Sequence, residues 1–221
     1  MLAFLKKNKA FFIPYFIFLL TGGITLVLWS KTEIHLFINQ FHCPAADVFF
    51  SAWTWLGLGA MIIPVALVLA FVRFRYLLIS VLGFLISGGI NNLLKQIFHS
   101  PRPLSVFNDM HQSLYLVPNV DVYSDYSFPS GHTATGFAMF CLLALYTKNN
   151  FLKVLYFIIA FLIAYSRMYL SEHFLKDVYA ASFVGVGTAL LTYYWVMNGR
   201  FFNKFADRLD KPLIPLSKSK K

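Results

Sequence analysis

Residues 76–103 read YLLISVLGFLISGGINNLLKQIFHSPRP, and this stretch sets how the rest of the chain is read. Leu77–Leu94 carries no charge and comes close to the ~20 apolar residues that a helix needs to cross a hydrocarbon core. Lys95 follows at once and Arg102 comes seven residues later, bracketed by Pro101 and Pro103, which stiffen the backbone around it. Asn91 and Asn92 close the run; amides are costly in lipid, so they should face the bundle or the mouth of a site. The Lys95/Arg102 pair could be a simple interfacial anchor. The distribution of charge in the whole chain argues for more.

The 221 residues are 58% hydrophobic and 13% charged, a composition that excludes an ordinary soluble domain. Five further apolar runs join the first: Phe11–Trp29, Ala52–Phe71, Thr133–Tyr146, Leu155–Tyr169 and Val178–Met197. The expected fold is an all-α integral membrane bundle of six transmembrane helices, a single domain over 1–221. Thr133–Tyr146 and Leu155–Tyr169 are short, as a span would be if it began below the lipid surface with polar groups at its mouth. The net charge of +10 could suggest nucleic acid, but its placement does not. In the six-span layout 14 basic residues flank one side, among them Lys6, Arg73, Arg75, Lys148, Lys153 and Arg200. Only Lys31, Lys95, Arg102, Arg167 and Lys176 fall on the other, together with all six histidines. This asymmetry predicts both termini in the cytoplasm and a bilayer, with no nucleic acid, as partner. The first apolar run exceeds a signal h-region and is read as a retained span. Cys43 in an outer loop and Cys141 inside a span give no expectation of a disulfide. Gly83 with Ser87, and Gly185 with Ala181 and Ala189, have the spacing of closely packed helices.

Two more polar clusters fall on the histidine-bearing side. In Phe128-Pro129-Ser130-Gly131-His132-Thr133, Ser130 can cap a helix whose free N–H groups and positive dipole end face an anion, with Gly131 allowing close approach. A helix cap beside a stray histidine is the plainer reading of that stretch alone. In Ser166–Asp177, His173 and Asp177 share a helix face at i, i+4, so the carboxylate can hold Nδ1 and leave Nε2 free. A structural His–Asp pair is the plainer reading there too. Glu172 is expected to be a solvated side chain. Segment 103–128, with Asp109, His111, Asp121 and Asp125, shows no tight metal-ligand spacing and is read as a solvated loop over the site. Together the clusters supply three cations, a backbone turn and two histidines, the parts of a metal-free phosphoryl-transfer site.

In type, order and spacing these blocks resemble the type 2 phosphatidic acid phosphatase superfamily of membrane lipid phosphatases, whose signature is K-x6-RP, PSGH and SR-x5-H-x3-D. All three blocks stand here intact. The resemblance implies that Lys95, Arg102 and Arg167 cradle phosphate with Ser130 and the Gly131 amide. It implies that His173 attacks phosphorus with Asp177 orienting it, and that His132 protonates the leaving group and then activates water. It implies no metal and no cofactor. The substrate implied is a lipid phosphate facing the cell exterior, such as undecaprenyl pyrophosphate, phosphatidylglycerophosphate, phosphatidate or a lipid A phosphate. A lipid phosphotransferase with the same site, a vanadate-binding haloperoxidase of the same superfamily and a non-catalytic lipid-binding or transport protein are the alternatives. The sequence gives no oligomeric state.

Overall fold

The computed structural model describes residues 2–214, and every regular element among them is helical. A short α1 (Leu2–Lys7) leads into α2 (Lys9–Leu28); α3 (Lys31–Asn39), α4 (Pro44–Trp53) and α5 (Ile62–Val72) follow, then the long α6 (Phe74–Phe98). After α7 (Pro103–Asp109) come an irregular segment, α8 (Gly131–Tyr146), α9 (Asn150–Tyr169), α10 (Leu175–Asn198) and the short α11 (Arg200–Asn203) and α12 (Ala206–Leu209). Helices α2, α6, α9 and α10 are long and apolar enough to cross a membrane, and α4 with α5 counts as a fifth if the bent pair is one span. The apolar helix α8 has 16 residues, about 24 Å at 1.5 Å per residue, less than the ~30 Å core.

The expected run Ala52–Phe71 is not one straight helix. Its axis bends by 62° through two single-turn 3₁₀ segments, Thr54–Gly57 and Gly59–Met61. Close packing requires a glycine at the break. A Cβ on Gly57 would lie 2.6 Å from Ile163 Cγ2 and 3.0 Å from His132 Cβ, so only glycine lets this turn reach the start of α8. Residues 103–109 also depart from the loop expected there. Pro103 opens α7 at its first position, where a missing N–H costs nothing, and Phe107 is fully buried.

Helix α8 is the axis of the molecule, packed by α6, α9 and α10, and α2 closes on α9. Phe137, Cys141 and Ala144 of α8 are 0% exposed, Ala160 and Ala189 pack with them, and Ala181 is fully buried as well. Close approach explains the small residues: a Cβ on Gly185 would sit 2.5 Å from the Ala134 carbonyl oxygen. The outer faces are apolar as well, with Ile13, Phe16, Leu20 and Val27 exposed along α2, as a lipid-facing helix requires.

At the end of the bundle away from the histidines, some of the basic residues do more than mark a side. Arg75 is 2% exposed, with Nε 2.6 Å from Asp210 Oδ1 and Nη1 donating to the Val196 carbonyl at 3.0 Å. Lys153 is 1% exposed and donates to Asn8 Oδ1 at 2.7 Å and to the Lys7 carbonyl at 2.9 Å. These cations tie α6 to the C-terminal segment and α9 to the start of α2. Lys218, Lys220 and Lys221 lie outside the described residues.

Candidate active site

Four helix ends meet at the opposite pole. Helices α6 and α9 present C-terminal turns, and each carries a cation there, Lys95 and Arg167. A positive side chain suits the negative end of the helix dipole. Helices α8 and α10 present N-termini, where N–H groups are unsatisfied and the dipole favours anions. Ser130 caps α8, accepting from the Thr133 amide at 3.5 Å and the Thr133 hydroxyl at 3.0 Å. Helix α10 is capped at Phe174, whose amide donates to Oδ2 of Asp177 in the first turn at 2.9 Å. Asp177 and Ser130 are linked directly, the Ser130 amide donating to the Asp177 carbonyl at 3.2 Å.

The three sequence clusters converge here. Helix α6 ends at His99 in the left-handed region (φ 39°), and the chain turns so that Arg102 comes back over the site. Arg102 is anchored by its own backbone N–H to the Ser124 carbonyl and by Nε to the Asp125 carbonyl, both at 2.7 Å. Arg167 is 6% exposed; Nη1 donates to Thr54 Oγ1 at 2.7 Å, while its buried Nε has no partner. Lys95, Arg102, Arg167 and His173 all lie within electrostatic reach of His132. Gly131 is not demanded by packing, since a Cβ there would meet only Asn91 Nδ2 at 3.5 Å. The room left at 131 opens on a groove.

His173 is 1% exposed and Asp177 fully buried. The expected direct hydrogen bond between them is replaced by a relay: Nδ1 stands 3.8 Å from Asp177 Oδ2, and Ser127 lies between. Its hydroxyl donates to Asp177 Oδ2 at 2.5 Å and is 3.3 Å from His173 Nδ1. Nδ1 is thereby engaged and Nε2 is left for chemistry. Burial, more than the nearby Arg102 and Arg167 charges, lowers the His173 pKa to about 3, against the raising effect of Asp177, so the ring is neutral at ordinary pH.

Two site residues escape the sequence reading. Ser127 is one polar residue in an aromatic-rich run, and nothing in its spacing marks it. Glu172 overturns the expectation of a solvated side chain. It is 2% exposed, its Oε2 pairs with Arg102 Nη1, and its Oε1 lies 3.5 Å from Arg167 Nη2. The tight turn after α9 accounts for this: the Glu172 and His173 amides both donate to the Arg167 carbonyl, at 3.0 and 3.1 Å, folding the side chain back over the arginines. Asn91 behaves as expected, buried at 6% exposure and donating to the Pro129 carbonyl at 3.5 Å. Asp109, His111, Asp121 and Asp125 are exposed in the segment after α6.

A groove of about 280 Å³ runs from Lys95 and His132 along α6, past Asn91, Ser87 and Gly88, to the kink at Gly57 and Gly59. Gly88 and the adjacent Gly89 have open space where a Cβ would stand, so α6 is thin-walled beside it.

The sequence pattern of the PAP2 superfamily matches residues 76–201, a stretch that contains all three clusters. The chain belongs to the PAP2 superfamily. PAP2 relatives similar in sequence include the lipid A 4′-phosphatase of Bacteroides thetaiotaomicron, 26% identical over 170 residues, 74% of this chain and 75% of that protein. The undecaprenyl-diphosphatase of Sulfolobus acidocaldarius is 33% identical over 135 residues, 59% of this chain and 61% of that protein. Among solved structures, Aquifex aeolicus LpxE superposes with a TM-score of 0.66 at 28% identity, covering 73% of this chain and 93% of its own. A transmembrane PAP2-type phosphatidylglycerolphosphate phosphatase from Bacillus subtilis gives 0.65 at 21% identity, covering 89% and 98%, and speaks for the fold alone.

Proposed function

We propose that this protein is an integral membrane phosphatase that removes phosphate from a lipid phosphomonoester or pyrophosphate through a phosphohistidine at His173, without a metal. The observation that carries the reading is the convergence of His173, His132 and three cations at four helix ends, beside a groove that runs along α6. A phosphate headgroup fits the polar pole, and the first part of a lipid tail fits the groove.

In this reading the Nε2 lone pair of His173 attacks phosphorus, the bond from phosphorus to the lipid oxygen breaks, and His132, held protonated by the negative charge of the bound phosphate, gives that oxygen its proton. Water then attacks the phosphohistidine, His132 takes its proton, the N–P bond breaks and inorganic phosphate leaves. Ser127 and Asp177 hold the Nδ1 proton and orient the ring throughout. Lys95, Arg102, Arg167, Ser130 and the Gly131 amide balance the negative charge on the phosphoryl oxygens, the task that a metal performs in other phosphatases.

The chain forms one membrane-embedded domain over 1–221. It crosses six times, as α2, the bent α4–α5 pair, α6, α8, α9 and α10. Both ends are cytoplasmic and the site faces the exterior of a bacterial inner membrane. The short α8 serves as a crossing because it starts below the surface, inside the bundle. The phosphate donors are of the kinds named for the relatives, a lipid A phosphate or a polyprenyl pyrophosphate, or a glycerophospholipid phosphate.

The test is phosphate release from a panel of these lipids in detergent with EDTA present. The wild type should turn over at least one of them and form an acid-labile phosphoenzyme. His173→Asn should do neither, with expression unchanged. Full activity in that variant, or a strict need for a divalent ion, would overturn the assignment.

A further inference from the structure

The cradle is already holding an anion. Arg102 and Arg167, which the proposed function gives to the substrate's phosphate, both turn guanidinium groups to the buried carboxylate of Glu172, and Arg102 also donates to the Glu172 backbone carbonyl at 3.3 Å. A carboxylate and a phosphoryl group are alternative partners for the same planar donors. The pairing leaves the arginines incompletely used. The buried Arg167 Nε keeps no partner, so the cradle retains at least one donor for an incoming oxygen.

We propose that Glu172 is the internal counter-ion of the phosphate cradle, a positioning residue that splays the two arginines and limits how tightly inorganic phosphate is held. The inference rests on the phosphatase reading of the site. Three cations and a helix N-terminus, with nothing set against them, would hold a phosphate dianion so firmly that product release would throttle turnover. The carboxylate cancels one of the three charges and competes for the Nη donors of both arginines. When hydrolysis ends, it is the group next to hand that can take those donors back. No covalent step is involved; the exchange is one anion for another.

The experiment is a direct titration of detergent-solubilised protein with inorganic phosphate and with vanadate, followed by phosphorus and vanadium NMR, alongside steady-state kinetics. Removing one negative charge a few ångströms from the ligand should tighten both anions by roughly tenfold in Glu172→Gln. Glu172→Met, neutral and of similar length, should move the same way. Glu172→Asp, which keeps the charge but withdraws it, should fall between. In the neutral variants kcat and KM should fall together, with kcat limited by phosphate release. A merely structural carboxylate predicts the opposite, arginines set adrift and weaker anion binding in all three variants; that result, or unchanged binding, overturns the proposal. If phosphate binds the wild type and tightens in Glu172→Gln while no lipid is hydrolysed, the phosphatase reading fails and this one stands. Absence of phosphate binding in every form sinks both.

Discussion

His173 is buried beside Asp177 and Ser127 with Arg102 and Arg167 in electrostatic reach, and this setting decides its charge. The usual imidazole range lies near pH 6.5; burial takes this ring down to about 3, and burial likewise takes His35, packed between Phe107 and Phe174, to about 4. A neutral imidazole is the form that can attack phosphorus, so the setting is useful, and it carries a cost in stability. Below about pH 6.5 the unfolded chain protonates both rings while the folded one does not, so the unfolded state binds more protons. Stability is therefore fully present above the unfolded pKa and is lost as pH falls from about 6.5 toward 4 and 3. Each histidine can contribute up to about 1.4 kcal/mol per pH unit in that window. The melting temperature in detergent should hold above about pH 6.5 and fall steadily from there toward pH 4, and His35→Asn combined with His173→Asn should flatten part of that slope. A melting curve indifferent to acid in the wild type would refute the assignment of neutral, buried rings.

Helices α8 and α10 meet through residues chosen for the absence of bulk. A methyl on Gly185 would press on the Ala134 carbonyl at 2.5 Å and on Phe137 Cβ at 2.9 Å, atoms that cannot swing aside. Gly185→Ala should cost about 1–3 kcal/mol, the price of overpacking, and Gly185→Leu more, read as a drop of several degrees in melting temperature. Gly88→Ala, where nothing stands within 4 Å, should hold or raise it. Equal behaviour of the two alanine variants would mean the α8–α10 contact is looser than described. Close packing of α10 was legible in the small residues at 181, 185 and 189, though not α8 as its partner, and α2, α6, α8, α9 and α10 were legible in their apolar runs. The break between α4 and α5 was not, because Ala52–Phe71 carries no charge, its one hydroxyl is Thr54, and Gly57, Gly59 and Pro64 are weak marks against a single continuous helix. The same holds for the site. Lys95, Arg102, Ser130, His132, Arg167, His173 and Asp177 stand out by charge and spacing. Ser127 and Glu172 enter through turns, at the end of an irregular segment and after the last turn of α9, where sequence spacing says little about which way a side chain points.

Taken whole, the molecule has two unlike poles. One gathers the histidines, Glu172, Asp177 and the three cradle cations; the other gathers Arg73, Arg75, Lys153 and the loop at Lys148, with Arg73 and Arg75 sharing Asp210 at 2.8 and 2.6 Å. Between them lies a belt of exposed Ile, Leu, Phe and Val. A bilayer fits that belt, and in the proposed orientation the Arg73 pole is the cytoplasmic one, as the positive-inside rule expects. Two of its cations, Arg75 and Lys153, are buried in structural hydrogen bonds, so the bias must be carried by the freely exposed ones, Lys148 and Lys204 among them. Single cysteines can read this directly. Cys43 is exposed and must first become serine, whereas Cys141 is buried and can stay. In that background Asp121→Cys, in the exposed segment over the site, should react with a membrane-impermeant thiol reagent in intact spheroplasts. Lys148→Cys and Lys204→Cys should react only after the membrane is permeabilised. The reverse pattern would put the phosphate cradle in the cytoplasm, out of reach of any lipid phosphate carried on the outer leaflet. Labelling of all three in intact cells would mean that the apolar belt does not hold a bilayer between the two poles.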